Sequence, residues 1–83
     1  MKKTIKIAGV GDRRQGMSKT GKPYDFTPVH FFYELPWIRG FAAASCNVSQ
    51  DCMGDYTPAV NDEKEVVMHT DFKTGAVYID AIL

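Results

Sequence analysis

Basic and aromatic side chains follow one another closely in the first half of the chain, and they are the residues best suited to chemistry. The basic ones are Arg13, Arg14, Lys19 and Lys22. Tyr24, Phe26 and Phe32 follow them. Single-stranded nucleic acid is bound by cationic groups along its phosphates and by flat rings that stack on bases, at about 1 to 3 kcal/mol per base. The pattern predicts such a surface; the alternatives are a solvated loop for the basic residues and core or dimer packing for the rings.

Trp37 is a separate candidate for a binding surface. It stands between Pro36 and Ile38 in a segment that is typical of a loop or hairpin tip. A tryptophan at such a place either stacks on a base or anchors a contact with another subunit, and the sequence favours neither.

Motifs for catalysis or metal binding are absent from the sequence. Cys46, His69 and Asp80 have no motif that connects them as nucleophile, base and acid, and no glycine-rich phosphate loop is present. His30 and His69 have no neighbour at metal-ligand spacing, and the Cys-x5-Cys pair Cys46 and Cys52 matches no zinc pattern. We therefore expect a protein that is not an enzyme, takes no cofactor or metal and keeps both cysteines as free thiols.

Length and composition limit the chain to one small domain, residues 1–83. With 83 residues and 45% hydrophobic content it can bury a core, but it is too short for a TIM barrel or a doubly wound nucleotide fold. Charge is unevenly spread, since residues 1–40 carry eight Lys or Arg against three Asp or Glu, and residues 41–83 carry two against seven. Such a separation suits binding of a polyanion and head-to-tail stacking of molecules.

The N-terminus and the apolar runs give no sign of export or of membrane insertion. The opening MKKTIKIAGVGD is charged like a secretory signal, but Lys6 interrupts its apolar stretch and Gly11-Asp12 ends it. No apolar run approaches the roughly 18 to 20 residues of a membrane span. We expect a soluble protein without membrane contact in the cytoplasm of a bacterial host cell.

Hydrophobic alternation and turn residues predict a chain of strands. Five strands are predicted, over residues 4–10, 24–34, 41–49, 65–70 and 76–83. Residues 12–20 predict an exposed basic hairpin, residues 50–64 predict a loop that could include one helical turn, and a helix is the alternative for the alanines at 42–44. The pattern favours an all-β fold, a five-stranded antiparallel OB-fold barrel with an extended basic hairpin.

The second predicted strand has two apolar faces. One face carries Tyr24, Phe26, His30 and Phe32, and the other carries Val29, Phe31 and Tyr33. Only one face can line the core of a small barrel, so the other needs a cover, which is a ligand or another subunit. Pro28 inside the strand requires an edge or a bulge.

The stretch from Arg14 to Tyr24, RQGMSKTGKPY, resembles the DNA-binding wing of the filamentous-phage single-stranded DNA-binding proteins of the gene V type. Further similarities follow in the family's order, in Tyr56-x-Pro58, Phe72-Lys73-x-Gly75 and Val77-Tyr78-Ile79-Asp80. The resemblance implies an OB-fold homodimer that coats single-stranded DNA without sequence preference. It also implies phosphate contacts for Arg14, Lys19 and Lys22, and a nucleotide-facing surface made by Tyr24, Phe26 and Phe32.

The chain departs from the family pattern in its second half. The hairpin before the last strand is shorter than in the family, and Ala81 and Leu83 stand where the family has basic residues. The middle of the chain, from residue 35 to residue 64, does not align with the family. Candidates for the same surface in these regions are Trp37, Arg39, Phe72 and Lys73.

These features predict a sequence-independent single-stranded DNA-binding protein, a homodimer that coats and protects single strands during replication of a phage or mobile element. One alternative is a protein–protein interaction module whose second aromatic face binds a protein. The other is a cold-shock-like RNA-binding domain, which uses similar aromatic and basic surfaces.

Overall fold

The computed structural model describes residues 2–83, which form six strands and one short helix. In chain order these are β1 (Lys2–Val10), β2 (Arg14–Met17), β3 (Pro23–Tyr33), β4 (Ala42–Ser49), α1 (Gln50–Met53), β5 (Glu63–Thr70) and β6 (Val77–Ile82). All five predicted strands are present, and the alanines of β4 form a strand rather than a helix. The additional strand, β2, lies inside the predicted basic hairpin. Within the described residues no helix has the length and apolar character needed to cross a membrane.

All strand pairings are antiparallel, and the strands form one sheet that is not closed. β1 lies between β3 and β5; β4 pairs with the far side of β3, and β6 with the far side of β5. β2 pairs with the first residues of β3, beyond the end of β1. No hydrogen-bonded ladder in residues 2–83 joins the two outer strands, β4 and β6. The predicted all-β class is confirmed, with six strands instead of five.

The proline in β3 occupies a break in the pairing along one edge of that strand. The ladder with β1 ends opposite Val29 and the ladder with β2 begins opposite Phe26, so Pro28 lies between them. The Pro28 carbonyl accepts a hydrogen bond from the Gly11 N–H at 2.8 Å. Since the N–H and C=O of a strand residue point to the same side, the missing N–H of Pro28 falls where the ladder is interrupted.

The core lies on the face of the sheet to which the odd-numbered residues of β3 point. Val29 is 2% exposed, Phe31 1% and Tyr33 8%. The other buried apolar residues come from β1, β4, α1, β5 and β6; they are Ile5, Ile7, Val48, Met53, Val66, Met68 and Ile79. The even-numbered residues of β3 are more exposed and point outward, as the predicted alternation requires.

Two thiols lie between β4, α1 and β6. The Cys52 thiol donates to the Ile79 carbonyl at an S···O distance of 3.9 Å, and the backbone of Ile79 also hydrogen-bonds the Cys46 thiol. Burial raises the pKa of both thiols above the ordinary value of 9.0. Both cysteines are free. Their contacts therefore tie β6 to β4 and α1 along the edge where a ladder is missing.

The segment between α1 and β5 is fastened to the sheet by its own contacts. The Tyr56 hydroxyl donates to Asp62 Oδ2 at 2.7 Å, and the Asn61 N–H donates to the Ile7 carbonyl at 2.7 Å. Burial of Tyr56 and its bond to Asp62 raise the pKa of Tyr56 to about 12. Tyr56 packs against the core, and Lys64 Nζ lies 4.6 Å from the centre of its ring. These contacts give the segment between α1 and β5 a structural role.

Candidate nucleic-acid interface

Three aromatic side chains share the outward face of β3, and we refer to Tyr24, Phe26 and Phe32 as the aromatic row. Tyr24 is 42% exposed and Phe32 40% exposed, while Phe26 is half-buried. The rings of Tyr24 and Phe26 lie 5.8 Å apart at 36° to one another. From Tyr24 to Phe32 the strand covers about 26 Å, at about 3.3 Å per residue. The core thus takes the opposite face of β3, and the aromatic row remains open to a ligand.

Strand β4 extends the outward face with small side chains. In the pairing of β3 with β4, Ser49 stands opposite Phe26, and Ala43 stands opposite Phe32. Asn47 and Ser45 lie between them on the same face. Small neighbours leave the rings uncovered, so β3 and β4 together make a shallow surface with aromatic rings along one side. These β4 residues were not predicted to belong to the site, although their alternation with Ala42, Ala44, Cys46 and Val48 was a usable signal.

The basic wing, residues 13–22, places one arginine on the same face as the aromatic row. Arg14 stands opposite Phe26 in the pairing of β2 with β3, and Gly16 stands opposite Tyr24. Directly opposite residues of an antiparallel pair project from the same face. Arg14 is exposed and has no carboxylate partner within the described chain. A cationic group and two stacking surfaces therefore lie side by side.

The tip of the wing is a tight turn that carries Lys19 and Lys22. The Gly21 N–H donates to the Ser18 carbonyl at 2.9 Å, and Gly21 adopts a φ of 81°, which glycine tolerates without steric cost. The Ser18 hydroxyl accepts from the Lys22 N–H at 3.1 Å and lies 2.9 Å from the Thr20 hydroxyl. The turn is therefore held by local bonds, and both lysines are exposed there.

Arg13 differs from the other basic residues of the wing because it is already paired. Its Nε and Nη2 donate to the two carboxylate oxygens of Asp25 at 2.7 and 2.5 Å, and Gln15 Nε2 donates to the same carboxylate at 3.2 Å. The hydrogen bonds from Arg13 lower the pKa of Asp25 below its ordinary value of 3.8. The contribution of this pair to stability is therefore present above that value and is lost as the pH falls through the lowered pKa. Arg13 and Asp25 meet on the face away from the aromatic row.

Removing the Asp25 carboxylate should release the Arg13 side chain from the face away from the aromatic row, so that it can turn toward a phosphate bound along the wing. We expect Asp25→Asn to bind single-stranded DNA more tightly and to steepen the slope of log K against log salt by about 0.7, the value for one further phosphate contact on a single strand. Anisotropy titrations at several salt concentrations measure both. Asp55→Asn, which removes an exposed charge after α1, is the control. An unchanged slope in Asp25→Asn would show that Arg13 does not reach the nucleic acid.

Gly16 makes room for the ring of Tyr24. A Cβ at position 16 would lie 2.6 Å from Tyr24 Oη and 2.9 Å from Cζ, too close for either contact. The ring therefore lies across the backbone of β2, and the absence of a side chain at Gly16 sets its position.

The variant Gly16→Ala should displace the Tyr24 ring at little cost in stability. The clash falls on the far end of a partly exposed side chain that can rotate away. We expect oligonucleotide affinity to fall several-fold while the urea midpoint changes little. Titration and urea unfolding of the same preparation test this. A large loss of stability with unchanged affinity would contradict the assignment of Gly16 to the interface.

The remaining sequence-predicted residues lie on loops away from the wing. Trp37, 78% exposed, and Arg39 lie on the β3–β4 loop, at the opposite end of β3. Phe72, 96% exposed, and Lys73 lie on the turn between β5 and β6. The structure does not bring these four residues together with Tyr24 and Phe26.

Lys6 is a basic residue of the outward face that the sequence analysis did not select. It stands opposite Phe32 in the pairing of β1 with β3, and both line an open groove of about 470 Å³ with Phe41 and Glu63. Lys6 belongs to the even-numbered residues of the first predicted strand, which alternate with the apolar Ile5 and Ile7. This alternation could have been used to predict that Lys6 is exposed. Lys6 therefore extends the positive charge to the far end of the aromatic row.

The described part of the chain holds no group of three His, Cys, Asp or Glu side chains placed to bind a metal ion. The cationic and aromatic surface of β2, β3 and β4 is thus the arrangement with the clearest chemistry. Comparisons of the chain with protein-family models, with curated proteins and with solved structures found no match.

Proposed function

We propose that the protein binds single-stranded DNA without sequence preference and coats single strands during replication of a phage or mobile element. The observation that carries the proposal is the common exposed face of Arg14, Tyr24 and Phe26, set by the pairing of β2 with β3. Stacking on rings tolerates any base because every base has a π-face, and the cations follow the backbone. In this arrangement the phosphates run along the wing and the bases lie on the aromatic row.

We further propose that the open sheet is an OB-fold with β2 inserted between its first two strands. An OB-fold is a partly open five-stranded Greek-key barrel in which the outer face of the second and third strands binds oligonucleotides. Without β2, those two strands are β3 and β4, which carry the aromatic row and its small-residue border. The loops that flank the binding face in that fold correspond to the wing and to the turn that carries Phe72 and Lys73.

The resemblance of Arg14 to Tyr24 to the gene V type of phage protein supports the same function. It is also the ground for proposing a homodimer and a site of action in the cytoplasm of a bacterial host. The uneven charge of the chain agrees with a polyanionic partner, since the basic residues are concentrated in the half that carries the wing.

The test is the fluorescence anisotropy of labelled oligo-thymidine titrated with protein at two salt concentrations, with a duplex of equal length as control. We expect binding to the single strand in preference to the duplex, and weaker binding at the higher salt because counterions are released from the phosphates. Trp37 emission in the same titration reports whether the β3–β4 loop meets the strand. No binding at low salt would overturn the proposal, and tighter binding to a matched RNA oligomer would reassign the ligand to RNA.

A further inference from the structure

A second concave surface lies beside the aromatic row, between the outward faces of β3 and β4 and the start of β6. It is an open groove of about 460 Å³, within the range of about 300 to 1,000 Å³ that small-molecule sites occupy. Its lining includes Pro28, His30, Ser45, Asn47, Val77 and Tyr78. Pro28 and His30 belong to the outward face of β3 between Phe26 and Phe32, so the groove continues directly from the proposed interface.

The aromatic wall of this groove is the ring of Tyr78, and contacts within the chain support the ring on one side. Tyr78 is 43% exposed, and its ring is stacked on the imidazole of His69 at 5.2 Å and 25°. His69 is held in turn by Asp80, whose carboxylate oxygens lie 2.7 and 2.8 Å from His69 Nδ1. One side of the Tyr78 ring is thus covered within the chain, and the ring is fixed in orientation for a flat ligand on its other side.

The groove offers hydrogen-bonding side chains that are free to bind a ligand. The side chains of Asn47, Ser45 and His30 make no hydrogen bond within residues 2–83, and the lining contains no Lys or Arg. An amide such as that of Asn47 presents a donor and an acceptor side by side, as do the edges of nucleobases. A groove with an aromatic wall, such edges and no Lys or Arg suits a flat heterocycle better than a phosphate.

We propose that this groove is a nucleobase subsite, in which one base of the bound single strand leaves the aromatic row, stacks on Tyr78 and hydrogen-bonds Asn47. The proposal rests on the proposed single-strand binding, because the base belongs to the single-stranded DNA that is bound along the aromatic row. Phosphates stay with the wing and with Lys6, and the subsite makes the contact to base edges that the aromatic row lacks.

Substitutions at Tyr78 test the subsite in the complete protein. We expect Tyr78→Ala to weaken oligo-thymidine binding roughly tenfold without changing the salt slope, because no phosphate contact is lost. Tyr78→Phe keeps the ring and should bind like the unmodified protein, whereas Asn47→Ala should weaken binding with the same unchanged slope. Thr57→Ala, an exposed residue between α1 and β5 that lies outside the groove, is the control. Unchanged affinity in Tyr78→Ala and Asn47→Ala would overturn the subsite and leave the proposed function standing.

A second measurement is independent of strand binding. In an NMR titration with uncharged 2′-deoxyadenosine we expect saturable shifts of the Asn47 side-chain amide and of the Tyr78 ring, and no response to 2-deoxyribose. The same titration of Tyr78→Ala should show no saturable shift. If the unmodified protein failed to bind oligo-thymidine, the proposed function would fall, and this titration would still decide the subsite. Absence of saturable shifts, or equal shifts with the sugar, would overturn it.

Discussion

Replacing Tyr24 and Phe26 together by alanine is expected to weaken oligo-thymidine binding by on the order of 100-fold or more, since each stacked base contributes about 1 to 3 kcal/mol. Both rings lie on the outward face of β3 beside Arg14, and neither belongs to the buried core. The double variant should therefore remain folded. Anisotropy titrations measure the loss of affinity, and circular dichroism with urea unfolding confirms the fold.

A control for this variant removes apolar surface elsewhere. Val60 is 56% exposed on the segment between α1 and β5, so Val60→Ala should leave affinity unchanged. The affinity of the double variant is compared with that of Val60→Ala at the same salt concentration. Equal affinity of the two would mean that the aromatic row is not the DNA-binding surface, and would favour a protein-binding role for that face.

Phe31→Ala is expected to destabilise the fold by about 3 to 5 kcal/mol, the usual cost of emptying a large core site. Phe31 is 1% exposed and is among the largest fully buried side chains of the protein. Its ring also lies 5.8 Å from that of Tyr33, so the cavity would remove an aromatic contact as well. A loss of this size is comparable to the whole stability of many small domains. Urea unfolding followed by circular dichroism measures it.

The next residue along β3 provides the matched variant. Phe32 has the same side chain but is 40% exposed on the opposite face, so Phe32→Ala should change the free energy of unfolding by less than about 1 kcal/mol. Its effect should fall on oligonucleotide binding instead. Destabilisation by Phe32→Ala as large as that by Phe31→Ala would contradict the division of β3 into a core face and a binding face.

The sequence was sufficient to predict the strands because alternation and turn residues are local signals. β3 was recognisable from its β-branched and aromatic residues, and the wing from its glycines and charges. Which aromatic face of β3 is buried could not be predicted, because both faces are apolar. That choice depends on where Ile5, Val48 and Val66 pack, and these residues are distant in sequence.

Several of the features that were missed depend on pairing between distant residues. The engagement of Arg13 by Asp25 follows from the register of β2 with β3, and the border of small residues on β4 follows from its register with β3. The groove at Tyr78 requires β4 and β6 to approach each other from opposite edges of the sheet. Single-residue patterns contain no information on such registers, and a shift of one residue would reverse every face.

The placement of β2 beyond the end of β1 also has a kinetic consequence. β2 pairs with β3 alone, and all four of its residues are exposed, so its hydrogen bonds can break while Phe31 and the rest of the core stay packed. Such sub-global opening has its own free energy, below that of global unfolding, and it governs amide hydrogen exchange in the wing. A nucleic-acid strand bound across Arg14 and Tyr24 would suppress this opening. Under the proposed function, part of the binding free energy would therefore go into ordering the wing, and the on-rate would depend on how often its rings and cations are already aligned.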